Sequence, residues 1–286
     1  MKLHNSNADV FVPDGIPPAE ALKRTTHLGI GAHQDDLELM AFHGIAECYG
    51  RQDRWFTGVT CTNGSGSPRA GIYADFTDAM MMQVRRREQR NAAAVGDYAA
   101  MLQLDYTSGA VKDPRNPALV EDLVEILNTM RPGVVYLHNL ADKHDTHVGV
   151  AVAALTALRR LPPANRPQRV LGCEVWRDLD WLPDDQKVPL DVGARQGLAA
   201  ALSGLFDSQV AGGKRYDLAA QGRWRANATY FASHGVDTAE WLAFAMDLTP
   251  VVRDDRLDLV EYVVQFVRKF EADVRQRLTS RMTARS

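Results

Sequence analysis

The sequence predicts an α/β protein built on an open, mostly parallel sheet with helices on both faces, extended at its C-terminal end by a further helix. Three observations carry this. Apolar, β-prone runs at 26–32, 55–61, 99–106, 134–138 and 170–176 alternate with stretches of helical periodicity, the pattern of βαβ units. Two of these runs, ending at Ala32 and His138, pass directly into polar clusters, and open parallel sheets bind ligands beyond the carboxyl ends of their strands. The charged tail repeats Val260, Val263, Val267, Phe270, Val274 and Leu278 at helical spacing.

Taken in order, residues 1–22 carry Pro13, Pro17 and Pro18 with little periodicity and are expected to wrap the surface. The first strand is followed by Leu39, Ala41, Phe42, Ile45, Ala46 and Tyr49 at helical spacing. The second runs into 63–71, a Gly/Ser-rich flexible loop, and then a basic helix over 80–95. The third strand leads to a helix over 117–130, closed by Arg131-Pro132-Gly133. An Ala/Val-rich helix to Leu158 separates the fourth strand from the fifth. Beyond Trp181 the pattern loosens: a helix is expected within 190–206, and 224–244 is rich in aromatics. The expectation is a single domain over 1–286, with a core of about 25–250 and peripheral segments at 1–22 and 251–286. The tail's apolar stripe is expected to dock on the parent domain, with a subunit contact in a homo-oligomer as the alternative.

Composition narrows the function classes. The 286 residues are 45% hydrophobic and 24% charged, as in ordinary globular proteins, and the net charge of −3 supplies no broad basic field for nucleic acid or an anionic membrane. No apolar run approaches the roughly 18–20 residues that span a bilayer, and the first residues show no signal-peptide pattern, so a cytoplasmic location and no membrane partner are expected. Cys48, Cys61 and Cys173 are expected to be buried, reduced thiols.

The polar clusters hold the chemistry. His33 and Asp36 stand three apart at a strand-to-helix turn with Asp35 beside them, and His144 and His147 share that spacing after another strand. Carboxylates this close repel unless a cation or proton separates them. Two His and a carboxylate leave coordination positions open for water and substrate, as a catalytic metal requires. Gly29 and Gly31 begin a G-x-G, but Gln34 breaks a dinucleotide fingerprint, and 63–71 lacks the GK[ST] of a P-loop. Magnesium-dependent phosphoryl transfer would leave the three His unexplained, because imidazole suits zinc or iron.

His33-Gln-Asp-Asp-Leu-Glu38 resembles the AHPDD-x-E signature of the PIG-L (LmbE-like) N-deacetylases, and Asp142-Lys-His144-Asp-Thr-His147 resembles their D-x-H-P-D-H segment. Arg85-x-x-Glu88-x-x-x-Ala92 and Ser208-Gln209 match two further family features, so the likeness spans about 25–250. Gln34 replaces the family's Pro, and Asp145-Thr146 its Pro-Asp. The resemblance implies a Rossmann-like fold and one zinc ion per chain, Fe²⁺ being the alternative, held by His33, Asp36 and His147. It further implies Asp35 as general base and His144 as the acid or oxyanion-stabilising group, acting protonated. Asp142 is expected to orient His144 through its other ring nitrogen, and Glu38 to support the site from behind. Arg85 is expected to fix a polar group of the substrate, with Arg69 as a second local anchor. The implied substrate is an N-acylated amino sugar or sugar conjugate, with Trp176, Trp181, Trp224, Tyr230 and Trp241 as candidates for stacking on a ring. A non-haem metal oxidoreductase and a non-catalytic sugar-binding module are the alternatives.

Overall fold

The computed structural model describes residues 1–282, so the last four residues of the expected C-terminal extension lie outside the described residues. Eight strands form one sheet: β1 (Asp9–Phe11), β2 (His27–Gly31), β3 (Phe56–Thr62), β4 (Ala100–Tyr106), β5 (Val134–His138), β6 (Arg169–Cys173), β7 (Lys187–Asp191) and β8 (Leu242–Asp247). Their order is β1-β4-β3-β2-β5-β6-β8-β7. The five central strands are parallel, β1 pairs antiparallel with β4, and β8 pairs antiparallel with both β6 and β7. From β2 the chain winds outward through β3 to β4, then returns to β5 and winds the other way to β6. The topological switch point therefore lies between β2 and β5.

Both faces of the central strands are covered, which is why they read as near-continuous apolar runs. Leu28, Ile30, Val59, Leu102 and Val135 pack on the side of helices Ala118–Met130 and Asp145–Arg160. Tyr136, Phe56, Met101 and Leu171 face the other side, with Leu37, Phe42, Ile45 and Trp224. Gly29 is part of this packing: a Cβ there would sit 2.8 Å from Phe56 Cζ and 2.9 Å from Leu37 Cδ2. The glycine lets the helix after β2 approach the strand closely, a packing role in place of the dinucleotide turn. All three cysteines are free and buried.

Three expectations change. The first 22 residues do more than wrap the surface: β1 extends the sheet, and helix Pro18–Lys23 buries Ala21 and Leu22. The aromatic stretch at 224–244 divides between helix Tyr216–Tyr230 and strand β8. The stripe on helix Leu259–Met282 docks only at its start. Val263 and Phe266 are buried, whereas Val267 is 44%, Phe270 45% and Leu278 59% exposed. Among the described residues no helix is long and apolar enough to cross a membrane.

Candidate active site

Both polar clusters meet at the switch point. After β2 the chain turns through His33–Asp35 into helix Asp36–Met40, and the His33 amide donates to Asp36 Oδ2 at 2.6 Å. Asp35 holds a positive φ of 95°, a left-handed conformation unusual for a residue with a Cβ. Its amide donates to Gln89 Oε1 at 3.2 Å, and Gln89 Nε2 donates in turn to Glu38 Oε1 at 2.8 Å, where Tyr98 also donates at 2.6 Å. Glu38 thus supports the turn from behind, through Gln89.

From the β5 side, His144 caps helix Asp145–Arg160 and presents His147 one turn in. His33 Nδ1 stands 3.2 Å from His147 Nε2 and 3.3 Å from Asp36 Oδ2, and Asp36 Oδ1 lies 3.4 Å from His147 Nε2. Ligands on a tetrahedral cation at bond lengths of 2.0–2.1 Å are about 3.3 Å apart. The donor set therefore fits a divalent cation in both spacing and type. It also explains why two imidazole nitrogens face one another across a carboxylate. Burial opposes ionisation of Asp36, but His147 and His138 outweigh it and hold the carboxyl well below the usual range.

Asp142 lies behind this set. Its Oδ2 is 3.3 Å from His147 Nδ1 and its Oδ1 accepts the His144 amide at 3.1 Å. The expectation that Asp142 orients the His144 ring is therefore corrected: its imidazole partner is His147, in the carboxylate–imidazole arrangement that fixes a metal-binding ring. The His144 ring instead accepts the Thr146 amide at Nδ1, which leaves its proton on Nε2. Burial, His147 and His33 lower the His144 pKa, favouring the neutral ring.

In the sequence His138 reads only as the last residue of a strand. It is fully buried at the end of β5, its ring stacks on His147 at 3.8 Å, and its Nε2 accepts the Ala32 amide at 3.0 Å. His138, Asp142 and His147 also form a grouping with metal-ligand spacing. However, His138 Nε2 is committed to Ala32, and Asp142 faces the ring nitrogen of His147 opposite to the one near His33. His138 therefore serves to lock the β2 turn against β5.

His33, Asp35, Asp36 and His144 line a cavity of about 510 Å³ together with Trp176 and Tyr216. Burial pushes the Asp35 carboxyl up to about 6, partly countered by Arg85. Arg85 is itself sunk, with its side chain 2% exposed. It meets Asp35 at 3.2 Å, Glu88 at 3.1 Å and Ser208 Oγ at 3.1 Å, and also donates to the Gln34 carbonyl. The expected free anchor for substrate is thus occupied with protein partners, because Arg85 and Glu88 lie on the buried face of helix Asp78–Val95 beside Met81 and Ala92. Gly64 at φ 74° closes over it, where a Cβ would come within 2.9 Å of the Arg85 Cβ. Arg69 pairs with Asp78. Arg85→Met leaves two buried carboxylates without their cation and is expected to cost about 3–5 kcal/mol, read as a lower midpoint of urea unfolding. An unchanged midpoint would show that the pair contributes nothing net.

The fold and the site define a doubly wound α/β protein with a two-histidine, one-carboxylate centre at its switch point. Residues 28–158 match the model of the family described as PIG-L: GlcNAc-PI de-N-acetylase, so this part of the chain is similar to that family. It is 29% identical over 174 residues to the uncharacterized deacetylase YaiS of Escherichia coli (strain K12), covering 57% of this chain and 80% of that one. N,N'-diacetylchitobiose deacetylase from Pyrococcus horikoshii shares the fold with a TM-score of 0.59 at 15% identity, over 77% of this chain and 83% of that one. GalB, the 4-carboxy-2-hydroxymuconate hydratase from Pseudomonas putida KT2440, shares it with a TM-score of 0.62 at 17% identity, over 78% and 96%.

Proposed function

We propose that this protein is a zinc-dependent hydrolase that removes an N-acetyl or other short N-acyl group from an amino sugar or sugar conjugate. One observation carries the reading: His33, Asp36 and His147 converge with cation spacing, and His33 and Asp36 line a cavity together with Asp35 and His144. A divalent cation held there would polarise the amide carbonyl and acidify water. Asp35, with a carboxyl near 6, is mostly ionised at neutral pH and takes the proton of the attacking water. Arg85 and the Gln89–Glu38 chain hold that carboxylate in place. His144 acts as a neutral ring that donates a hydrogen bond from Nε2 to the developing oxyanion, while Asp35 passes the proton it took from water to the departing amine. This modifies the expectation of a protonated His144.

The sugar rests on the similarity to the PIG-L family and on the cavity wall. Trp176 is half-buried there, 5.9 Å from Tyr216, and offers an apolar face to a ring. Trp224, 2% exposed, also borders the cavity from within the core, whereas Trp241 is a core residue and Tyr230 is 81% exposed. The three buried thiols suit a reducing, cytoplasmic compartment. The test is to assay zinc-loaded protein for free amine released from a panel of N-acetylglucosamine derivatives and acylated peptides. Turnover of at least one amino sugar is expected. Turnover of peptides alone would overturn the sugar assignment, and oxygen-dependent turnover of an iron-loaded sample would overturn hydrolysis.

A further inference from the structure

Glu174 follows β6 directly and lines the same cavity. It is 4% exposed, and one of its oxygens is fully engaged: Oε1 accepts from Asn227 Nδ2 at 2.6 Å and from the Phe244 amide at 3.1 Å. Oε2 has no partner. Gln209, on helix Asp207–Val210, lines the cavity too, is equally buried, and leaves Nε2 without a partner. A buried polar atom left unpaired keeps its desolvation penalty, so native proteins rarely hold one without a ligand or water to satisfy it. Here two residues that line one cavity have opposite sense, an acceptor on Glu174 and a donor on Gln209. Neither takes part in the hydrolytic steps assigned above.

We propose that Glu174 and Gln209 determine specificity by reading substrate hydroxyls, Glu174 accepting a hydrogen bond from one and Gln209 donating to another. The complementarity selects the class. A carboxylate or phosphate would satisfy Gln209 but be repelled by Glu174, and an ammonium would do the reverse. A hydroxyl both donates and accepts, so a ring bearing several hydroxyls satisfies both residues while its face lies on Trp176, two residues beyond Glu174. The inference rests on this cavity being the substrate site of the proposed deacetylase.

Glu174→Gln isolates the contact, since an amide oxygen can still accept from Asn227 and the Phe244 amide while the unpaired acceptor becomes a donor. Burial pushes the Glu174 carboxyl up to about 7, so the measurement belongs at pH 8, where the accepting form prevails. Zinc-loaded protein is titrated with N-acetylglucosamine and its monodeoxy analogues, with binding followed by ligand-observed NMR. Glu174→Gln is expected to weaken N-acetylglucosamine about tenfold, and one deoxy analogue to bind the wild-type and variant proteins equally. Gln209→Leu is expected to show the same pattern with a different analogue. Thermal melting checks that both variants fold. Equal binding of every sugar by wild type and both folded variants overturns the inference, as does failure of the wild-type protein to bind any of them. Binding with the expected pattern but without turnover overturns the hydrolytic reading and upholds this one.

Discussion

Asp35→Asn is expected to lower kcat by about 10²–10⁴-fold while metal content and fold stay at wild-type levels. The amide retains an oxygen for Arg85 but cannot take a proton from water. Stability should move the other way. The folded-state pKa of Asp35 is about 6, above its ordinary value of 3.8. Its contribution to stability is therefore complete below the unfolded value and is lost as pH rises through about 6. At pH 8 the buried carboxylate opposes folding, so the metal-free Asp35→Asn protein should melt at or above the wild-type temperature. Steady-state kinetics with thermal melts at pH 5 and pH 8 read both effects. Near wild-type kcat would remove Asp35 from the role of base.

His147→Ala is expected to reduce zinc from about one per chain to near none, and activity with it. A three-ligand site has no spare donor. Asp142→Asn should act more mildly, weakening metal affinity by about 10–100-fold, because it changes only the partner of His147 Nδ1. Elemental analysis after dialysis distinguishes these results, and full zinc occupancy in His147→Ala would show that the donors are assigned wrongly.

The parallel strands were legible because burial on both faces writes itself as apolar runs, and the site because His33, Asp36, His144 and His147 sit where such runs end. What could not be read has physical causes. Strand β7 lies at the sheet edge with Pro189 opposite Phe244, and edge strands tolerate proline and polar residues. The Arg85 role was hidden in a run of arginines, although its spacing from Met81 and Ala92 places it on the buried face. Which imidazole Asp142 would meet depended on where the following helix begins, a boundary that sequence patterns fix poorly. What separates His138 from a plain strand residue, its bond from Ala32 106 positions away and its ring stacked on His147, leaves no mark in the local sequence.

Helix Leu259–Met282 has 24 residues, and its burial ends at Phe266. Beyond that point its side chains pair along the helix itself, Arg275 with Glu271 and Arg277 with Asp273. The segment 267–282 is supported by its own contacts, and an isolated helix of about 15 residues is marginal in water. Its amides should therefore exchange with solvent deuterium far faster than those of β2 or β5, whose opening requires disruption of the sheet. Hydrogen-exchange mass spectrometry should show protection falling in a step near residue 267. The same step marks where a protease could cut the folded protein without disturbing the centre at the switch point.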